Sequence, residues 1–379
     1  MRVTYVIDSL SPSGSERSLV ELVPGLVAHG IDMDVVTLFD RPGLVEEAVA
    51  GGATVTCLEG GGGRVGALMR LRRHLRHHRP DVVHTTLFEA DAVGRIAATL
   101  SRIPVVSSLV NVRYGPEQKQ NPGLKPLRVE LARWTDAGTA QFVRRFHAVT
   151  ADVADVMARR LHLRRDRIDV VPRGRDPDSL GYRDPVRASS ARTRLSIPAD
   201  APLLVSVARH EYQKGLDVLL HATAEVSADI PELRVVVVGR QGNQTADLAR
   251  MRDELGLGRV VTLAGTRDDV LDVLAAADGF VLASRWEGHS GALVEAMAMR
   301  TPIIVTDIAA FREVLSDGAG LFAAVGDPKA LAAAIRATLA DTPGAAARAE
   351  AARRLFETRF TIDASVNGMV AFYERALSH

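Results

Sequence analysis

Short apolar runs rich in β-branched residues recur along this chain. Between them lie stretches whose apolar residues return every three or four positions. In the first half the runs are VTYVID, MDVVTLF, ATVTCL, DVVHTT, PVVSSLV, RFHAVT and DVVP near Val170. In the second half they are PLLVSVA, LRVVVVG, VVTLAG, GFVLAS, TPIIVTD and GLFAA. Several are apolar throughout instead of alternating, which marks strands buried on both faces. Strands of that kind alternating with amphipathic helices predict an α/β protein with doubly wound parallel sheets. The series stops in PRGRDPDSLGYRDP, Pro172 to Pro185, and then restarts. Proline, glycine and charge concentrated between two complete series mark an interdomain crossing. From Lys329 the chain reads as helical and Ala-rich, and FTIDASVNGMVAFYERAL closes it with apolar residues at helical spacing.

A length of 379 residues suits two domains of ordinary size. With 47% hydrophobic and 25% charged residues, the composition is that of a soluble globular protein. The net charge of +1 gives no field that would favour nucleic acid. A single cysteine, Cys57, excludes a disulfide framework within the chain and fits a reducing compartment. The amino-terminal MRVTYVIDSL is too short for a signal peptide and reads as a first strand, and no apolar run is long enough to span a membrane. The expected location is therefore cytoplasmic. One charged stretch stands out, LMRLRRHLRHHRPD from Leu68 to Asp81. It reads as the solvated face of a helix, or as a peripheral contact with anionic membrane or an acidic acceptor. The run Gly60–Gly63 follows a strand and reads as a flexible loop, with a phosphate cradle as the other reading.

The densest chemistry is in SRWEGHSGALVEAMAMRTPIIVTD, Ser284 to Asp307. A buried strand ends at Ser284, Glu287 and Gly288 follow in a turn, and a helix starts near His289–Gly291 and carries Glu295. Ligands of doubly wound sheets sit outside the carboxyl ends of strands, and a helix N-terminus there attracts anions. Gly288 and Gly291 let backbone approach a ligand. Glu287 can reach sugar hydroxyls, and Glu295 can accept from a ribose; the alternative is a capping Glu287 and a surface Glu295. VARHEYQKGLDVLL places Arg209 just past a strand and Lys214 at the start of a helix. Two cations so spaced can clamp a diphosphate and stabilise charge on a departing nucleoside diphosphate. In the first half, SLSPSGSERSLVEL puts Gly14 in a βα loop that sets backbone N–H groups at the cleft. His84, read as ending the strand DVVHTT, is a further candidate for substrate contact.

These residues, in this order, resemble the family-4 retaining glycosyltransferases, which have two facing Rossmann-like domains of the GT-B type. The family's Glu-x7-Glu signature matches Glu287 and Glu295, and its Arg/Lys pair matches Arg209 and Lys214. DVVP-x-G-x-D, Val170 to Asp176, resembles its interdomain crossing, PDVVH its strand ending at His84, and SGSER its amino-terminal glycine loop. The resemblance implies a first domain of residues 1–176 plus about 360–379 that binds the acceptor, with the closing helix crossing back to it. It implies a second domain of residues 177–359 that binds a nucleoside-diphosphate sugar. It implies catalytic roles for Arg209, Lys214 and Glu287. Donor contacts would come from Gly14, Gly265, Thr266, Arg267, Gly288, His289, Ser290, Gly291, Leu293 and Glu295 as well. UDP sugars are favoured and GDP sugars are the alternative; the acceptor is a glycan, glycolipid or small molecule. The resemblance further implies that the reaction retains anomeric configuration and uses no metal or cofactor. Two departures bear on the acceptor side. SLVNVRYG has Asn111 and Arg113 where many members carry a histidine, and PRGRD has Arg173 and Arg175 where Asn and an apolar residue are usual. Asn111 and Arg113 are candidate sugar or acceptor contacts. A non-hydrolysing nucleotide-sugar 2-epimerase and a non-catalytic sugar-nucleotide binding protein are the competing readings.

Overall fold

The structure is a computed structural model that describes every residue except Pro42, Asp317 and His379. It forms two compact units, Met1–Asp176 with Thr361–His379 and Pro177–Phe360. Unit 1 begins β1 (Arg2–Ile7), α1 (Gly14–Ala28), β2 (Asp32–Thr37), α2 (Val45–Ala50), β3 (Thr54–Cys57), α3 (Gly63–His78), β4 (Val82–Thr86) and α4 (Phe88–Ser101). It continues β5 (Val105–Leu109), α5 (Pro116–Lys119), α6 (Pro126–Ala140), β6 (Arg145–Ala148), α7 (Ala151–Leu161) and β7 (Ile168–Val170). Unit 2 holds α8 (Pro177–Leu180), α9 (Pro185–Arg194), β8 (Leu203–Val207), α10 (Leu216–Ser227), β9 (Arg234–Val238), α11 (Thr245–Glu254), β10 (Val261–Gly265) and α12 (Val270–Ala276). Then come β11 (Gly279–Leu282), α13 (Gly291–Ala298), β12 (Ile303–Thr306), α14 (Ala309–Val314), β13 (Leu321–Ala323), α15 (Pro328–Ala340) and α16 (Thr342–Arg359). The last helix, α17 (Ile362–Leu377), belongs to unit 1.

Both sheets are parallel. Their orders are β3-β2-β1-β4-β5-β6-β7 and β10-β9-β8-β11-β12-β13, so each is a Rossmann-like doubly wound sheet. Alternation along each strand divides the core in two. In unit 1, Val6, Val36, Val83 and Val105 pack under Leu71 and Leu75 of α3, Val93 of α4 and Met157 of α7. Their neighbours Tyr5, Val35, Val82 and Val106 turn to the other face, under Leu19 and Val23 of α1 and Phe372 and Tyr373 of α17. Unit 2 repeats the scheme, with Val205, Val236 and Phe280 on one side and Leu204, Val235 and Val281 on the other. Each such side chain contributes roughly 1.5–3 kcal/mol by leaving water. The strands are thus apolar throughout because both faces are covered.

The switch points, where strand order reverses, lie between β1 and β4 in unit 1 and between β8 and β11 in unit 2. Ligand sites are expected at the carboxyl ends of those four strands.

Candidate active site

In unit 2 the residues after β8 and β11 meet. The chain leaves β8, passes the exposed Arg209, and makes a tight turn at Tyr212–Lys214 before α10. Gly215 closes that turn at φ +62°, and a Cβ there would lie 2.0 Å from the Ala283 carbonyl oxygen. Only glycine lets the turn lie against the end of β11. Two further contacts lock the loops together: the Arg285 backbone N–H donates to Gln213 O at 2.8 Å, and the Arg285 guanidinium pairs with Asp217 at 2.6 Å.

The result is a carboxylate held from three directions. Glu287 is 6% exposed. Its Oε1 is paired with Lys214 Nζ and accepts from Ser284 Oγ at 3.0 Å; its Oε2 accepts from Gln213 Nε2 at 3.2 Å. A buried carboxylate without such donors would cost several kcal/mol. The turn then leads through the buried Gly288, His289 and Ser290 into α13. Ser290 is its N-cap, accepting from the Leu293 N–H at 3.4 Å, and the half-buried Glu295 lies one turn inside the helix. Thus the helix is capped by Ser290 and not by Glu287. At the end of β10, Gly265 takes φ +66°; beyond it Thr266 is exposed, and Arg267 forms a two-pronged pair with Asp269 at 2.7 and 2.8 Å.

Two expectations for this site need correction. Lys214 ends a 3-10 turn instead of starting a helix, because Gly215 intervenes and α10 starts at Leu216. Nor is the lysine an unpaired cation, since its charge meets Glu287. Sequence reading also missed Gln213 and Ser284, the two uncharged groups that hold Glu287; a side-chain amide and hydroxyl in adjacent loops carry no signal of their own.

In unit 1, Gly14 is the first residue of α1, and Arg173 reaches over it to donate from Nη2 to Ser15 Oγ at 3.1 Å. Arg175 is buried and paired with Glu21 of α1 at 2.9 Å. Both arginines therefore fasten the end of this unit's chain to α1. Beside them a pocket of about 450 Å³, open to solvent, lies between the sheet, α1 and α17. Leu19, Leu22, Val110 and Met369 give it a mainly apolar lining, with Ser15 and Arg173 among its polar groups; the Tyr5 and Thr86 hydroxyls beside it are bonded to each other at 2.7 Å.

His84 does not end its strand. β4 runs on to Thr86, so His84 is its middle residue and is fully buried. It belongs to a hydrogen-bonded chain with one consistent direction. His147 Nε2 donates to the Val171 carbonyl at 2.9 Å, so its Nδ1 accepts from Ser108 Oγ at 2.8 Å. Ser108 then accepts from His84 Nε2 at 2.7 Å, and His84 Nδ1 accepts from the Tyr373 hydroxyl at 2.7 Å. Both rings are neutral: burial holds His84 well below the usual histidine range and lowers His147 to about 4, against the pull of the Val171 carbonyl. His84 itself does not line the pocket; it lies behind Tyr5 and Ser108, which do.

Asn111 and Arg113 follow β5. The Asn111 Oδ1 atom is buried with no hydrogen-bond partner among the described residues. Arg113 lies near a carboxylate pair that the sequence did not reveal. Asp8, just past β1, accepts from the Ala90 N–H at 2.8 Å, and burial raises it to about 6, with Asp91 adding and the Ala90 bond and Arg113 opposing. Asp91, buried beside Arg95 and Asp136, is likewise raised to about 6, with burial the main cause.

Two Rossmann-like units, one with a Glu-x7-Glu turn and a lysine on its first glutamate, agree with the class that comparison with known proteins gives, the glycosyltransferases. Residues 189–355 match Glycosyl transferases group 1, and residues 12–179 match Glycosyltransferase Family 4. The chain belongs to the family-4 glycosyltransferases. It is 30% identical to the D-inositol 3-phosphate glycosyltransferase of Xylanimonas cellulosilytica, over 82% of this chain and 75% of that one. It is also 30% identical to the protein so named in Kineococcus radiotolerans, over 96% and 91%. Among solved structures it resembles HepE of Anabaena in complex with UDP and glucose, with a TM-score of 0.87 at 20% identity over 99% of this chain and all of that one. The same protein has been crystallised with UDP-glucose.

Proposed function

We propose that this glycosyltransferase moves a sugar from a nucleoside-diphosphate sugar to a hydroxyl acceptor, with retention and without a metal ion. The carrying observation is the buried Glu287, held by Lys214, Ser284 and Gln213 beside the start of α13. Glu287 offers carboxylate oxygens to sugar hydroxyls. Lys214 and Arg209 offer positive charge to the diphosphate, and the free N–H groups of α13 add to it. As the sugar–oxygen bond breaks, charge grows on the departing diphosphate and these groups stabilise it. The departing phosphate oxygen takes the acceptor's proton, so the acceptor enters on the face the diphosphate leaves and no histidine base is needed at Asn111. Glu295 takes the ribose, and the loop Gly265–Arg267 takes the base. The UDP-glucose bound to HepE favours UDP sugars over GDP sugars.

The acceptor belongs to unit 1, whose pocket, with Arg173 in its lining, suits an acceptor bearing an anionic group. Unit 1 also suits peripheral contact with anionic membrane: α3 exposes Val65, Met69, Arg73 and Arg76, and α6 exposes Leu127, Leu131 and Trp134 with Lys125 and Arg128. No helix among the described residues is long and apolar enough to cross a membrane.

The test is an acceptor screen with UDP sugars, read by UDP release and by proton NMR of the new anomeric centre. Transfer with retained configuration, undiminished by EDTA, supports the proposal. An inverted product, or activity abolished by EDTA and restored by Mg²⁺, contradicts it.

A further inference from the structure

At the amino edge of the unit 1 sheet, opposite the end where ligands of such sheets bind, three metal-ligating side chains converge. His74 and His78 are four residues apart on α3 and so share a face. Their rings stack with centroids 4.0 Å apart and planes 13° from parallel. Asp34 of β2 lies under them, 3% exposed. Its Oδ2 accepts from Thr4 Oγ1 and lies against His74 Nε2, each at 2.7 Å. Its Oδ1 is buried and has no hydrogen-bond partner among the described residues. The ligand atoms of Asp34, His74 and His78 all lie within 4.8 Å of one another.

An ordinary buried His–Asp pair accounts for one oxygen of Asp34 and leaves the other without a partner, which is costly. It also gives no reason for a second imidazole to lie over the first. We propose that Asp34, His74 and His78 form a binding site for a divalent transition ion of the Zn²⁺ class. Two imidazoles and one carboxylate suit such an ion; Mg²⁺ and Ca²⁺ prefer all-oxygen shells. Zinc bonds to nitrogen and oxygen of roughly 2.0–2.2 Å require the three atoms to close in by about 1 Å. His78, half-buried on the last turn of α3, has the freedom to do so. The ion replaces the proton between His74 Nε2 and Asp34, and that proton leaves to solvent. The Thr4 hydroxyl keeps orienting the carboxylate from the second layer, and water completes the shell. The ion ties the end of α3 to β2 and takes no part in sugar transfer.

The experiment uses the full chain, stripped with chelator and titrated with Zn²⁺ alone, by calorimetry and thermal melting. One ion should bind per chain and raise the melting temperature by about 5 °C at a hundredfold excess over the dissociation constant. His78→Gln, at a half-exposed position that leaves the fold intact, should abolish both effects. His77→Gln, at the exposed neighbour, should abolish neither. Absence of saturable binding, or binding that survives His78→Gln, would overturn the site and leave Asp34–His74 as a plain ion pair.

Discussion

Glu287 concentrates the chemistry of unit 2 in one buried carboxylate, and its partners say what a substitution does. Glu287→Gln keeps the shape but removes the charge that holds Lys214. Turnover should fall by at least about a hundredfold, the scale of losing a transition-state contact. Affinity for bare UDP should hold or rise, because Lys214 is released toward the diphosphate; UDP affinity lost in step with turnover would refute this division of roles. A second residue-scale effect concerns pH. Asp8 is raised to about 6 in the fold from an ordinary 3.8. A raised carboxyl contributes stability that is full below about 3.8 and is lost as pH rises through about 6, because the folded state then binds more protons than the unfolded one. Asp8→Asn should therefore stabilise the protein at pH 8, on the order of 1 kcal/mol after discounting for its partial exposure. Urea melts at pH 8 and pH 4 read it, and a gain that fails to shrink on acidification would count against it. His147, lowered to about 4, acts oppositely: its contribution is present above about 6.5 and is lost as pH falls through about 4.

Elements place these residues through a few close approaches. The turn before α10 reaches β11 only because position 215 lacks a Cβ. Gly215→Ala should strain that turn by about 1–3 kcal/mol and separate Lys214 from Glu287, so transfer falls more steeply than stability. Chemical denaturation beside turnover reads this, and wild-type turnover in the variant would contradict it. The arginine-rich α3 shows how an element changes a sequence reading. Arg70 does not face solvent freely: it donates to Leu58 O, Gly60 O and Gly61 O at 2.8–3.0 Å. The carbonyls of Gly60 and Gly61 are thus held by a side chain of α3. What α3 leaves exposed is Val65 and Met69 among its other arginines, and α6, on the same sheet face, adds Leu127 at 81% and Leu131 at 66% exposure. Replacing Leu127 and Leu131 by serine should weaken binding to anionic vesicles by about tenfold at low salt, at roughly 1 kcal/mol or less for each exposed apolar side chain lost. Equal binding of the wild type to neutral and anionic vesicles would remove the membrane contact.

For the whole molecule, the strands were legible because burial on both faces writes continuous apolar runs, and each run named above coincides with a strand of one of the two sheets. The turn that carries Glu287 stood out for a related reason: charged residues at the ends of buried strands contrast with them. The wiring between side chains was not legible. His84 looked like a strand-end group because sequence shows order and not the strand's last residue, and its partner Tyr373 lies 289 positions away. Asp8, Gln213 and the unit 1 pocket depend on such long-range contacts too. The central claim is that unit 2 binds the nucleotide of the donor through Arg209 and Lys214, and calorimetric titration with UDP tests it most directly. Saturable 1:1 binding by the wild-type chain is the expected result, weakened at least about tenfold in Arg209→Ala and in Lys214→Ala, which is the loss of one charge-assisted contact each. Absence of binding by UDP and GDP alike, or affinity unchanged in both variants, would contradict it.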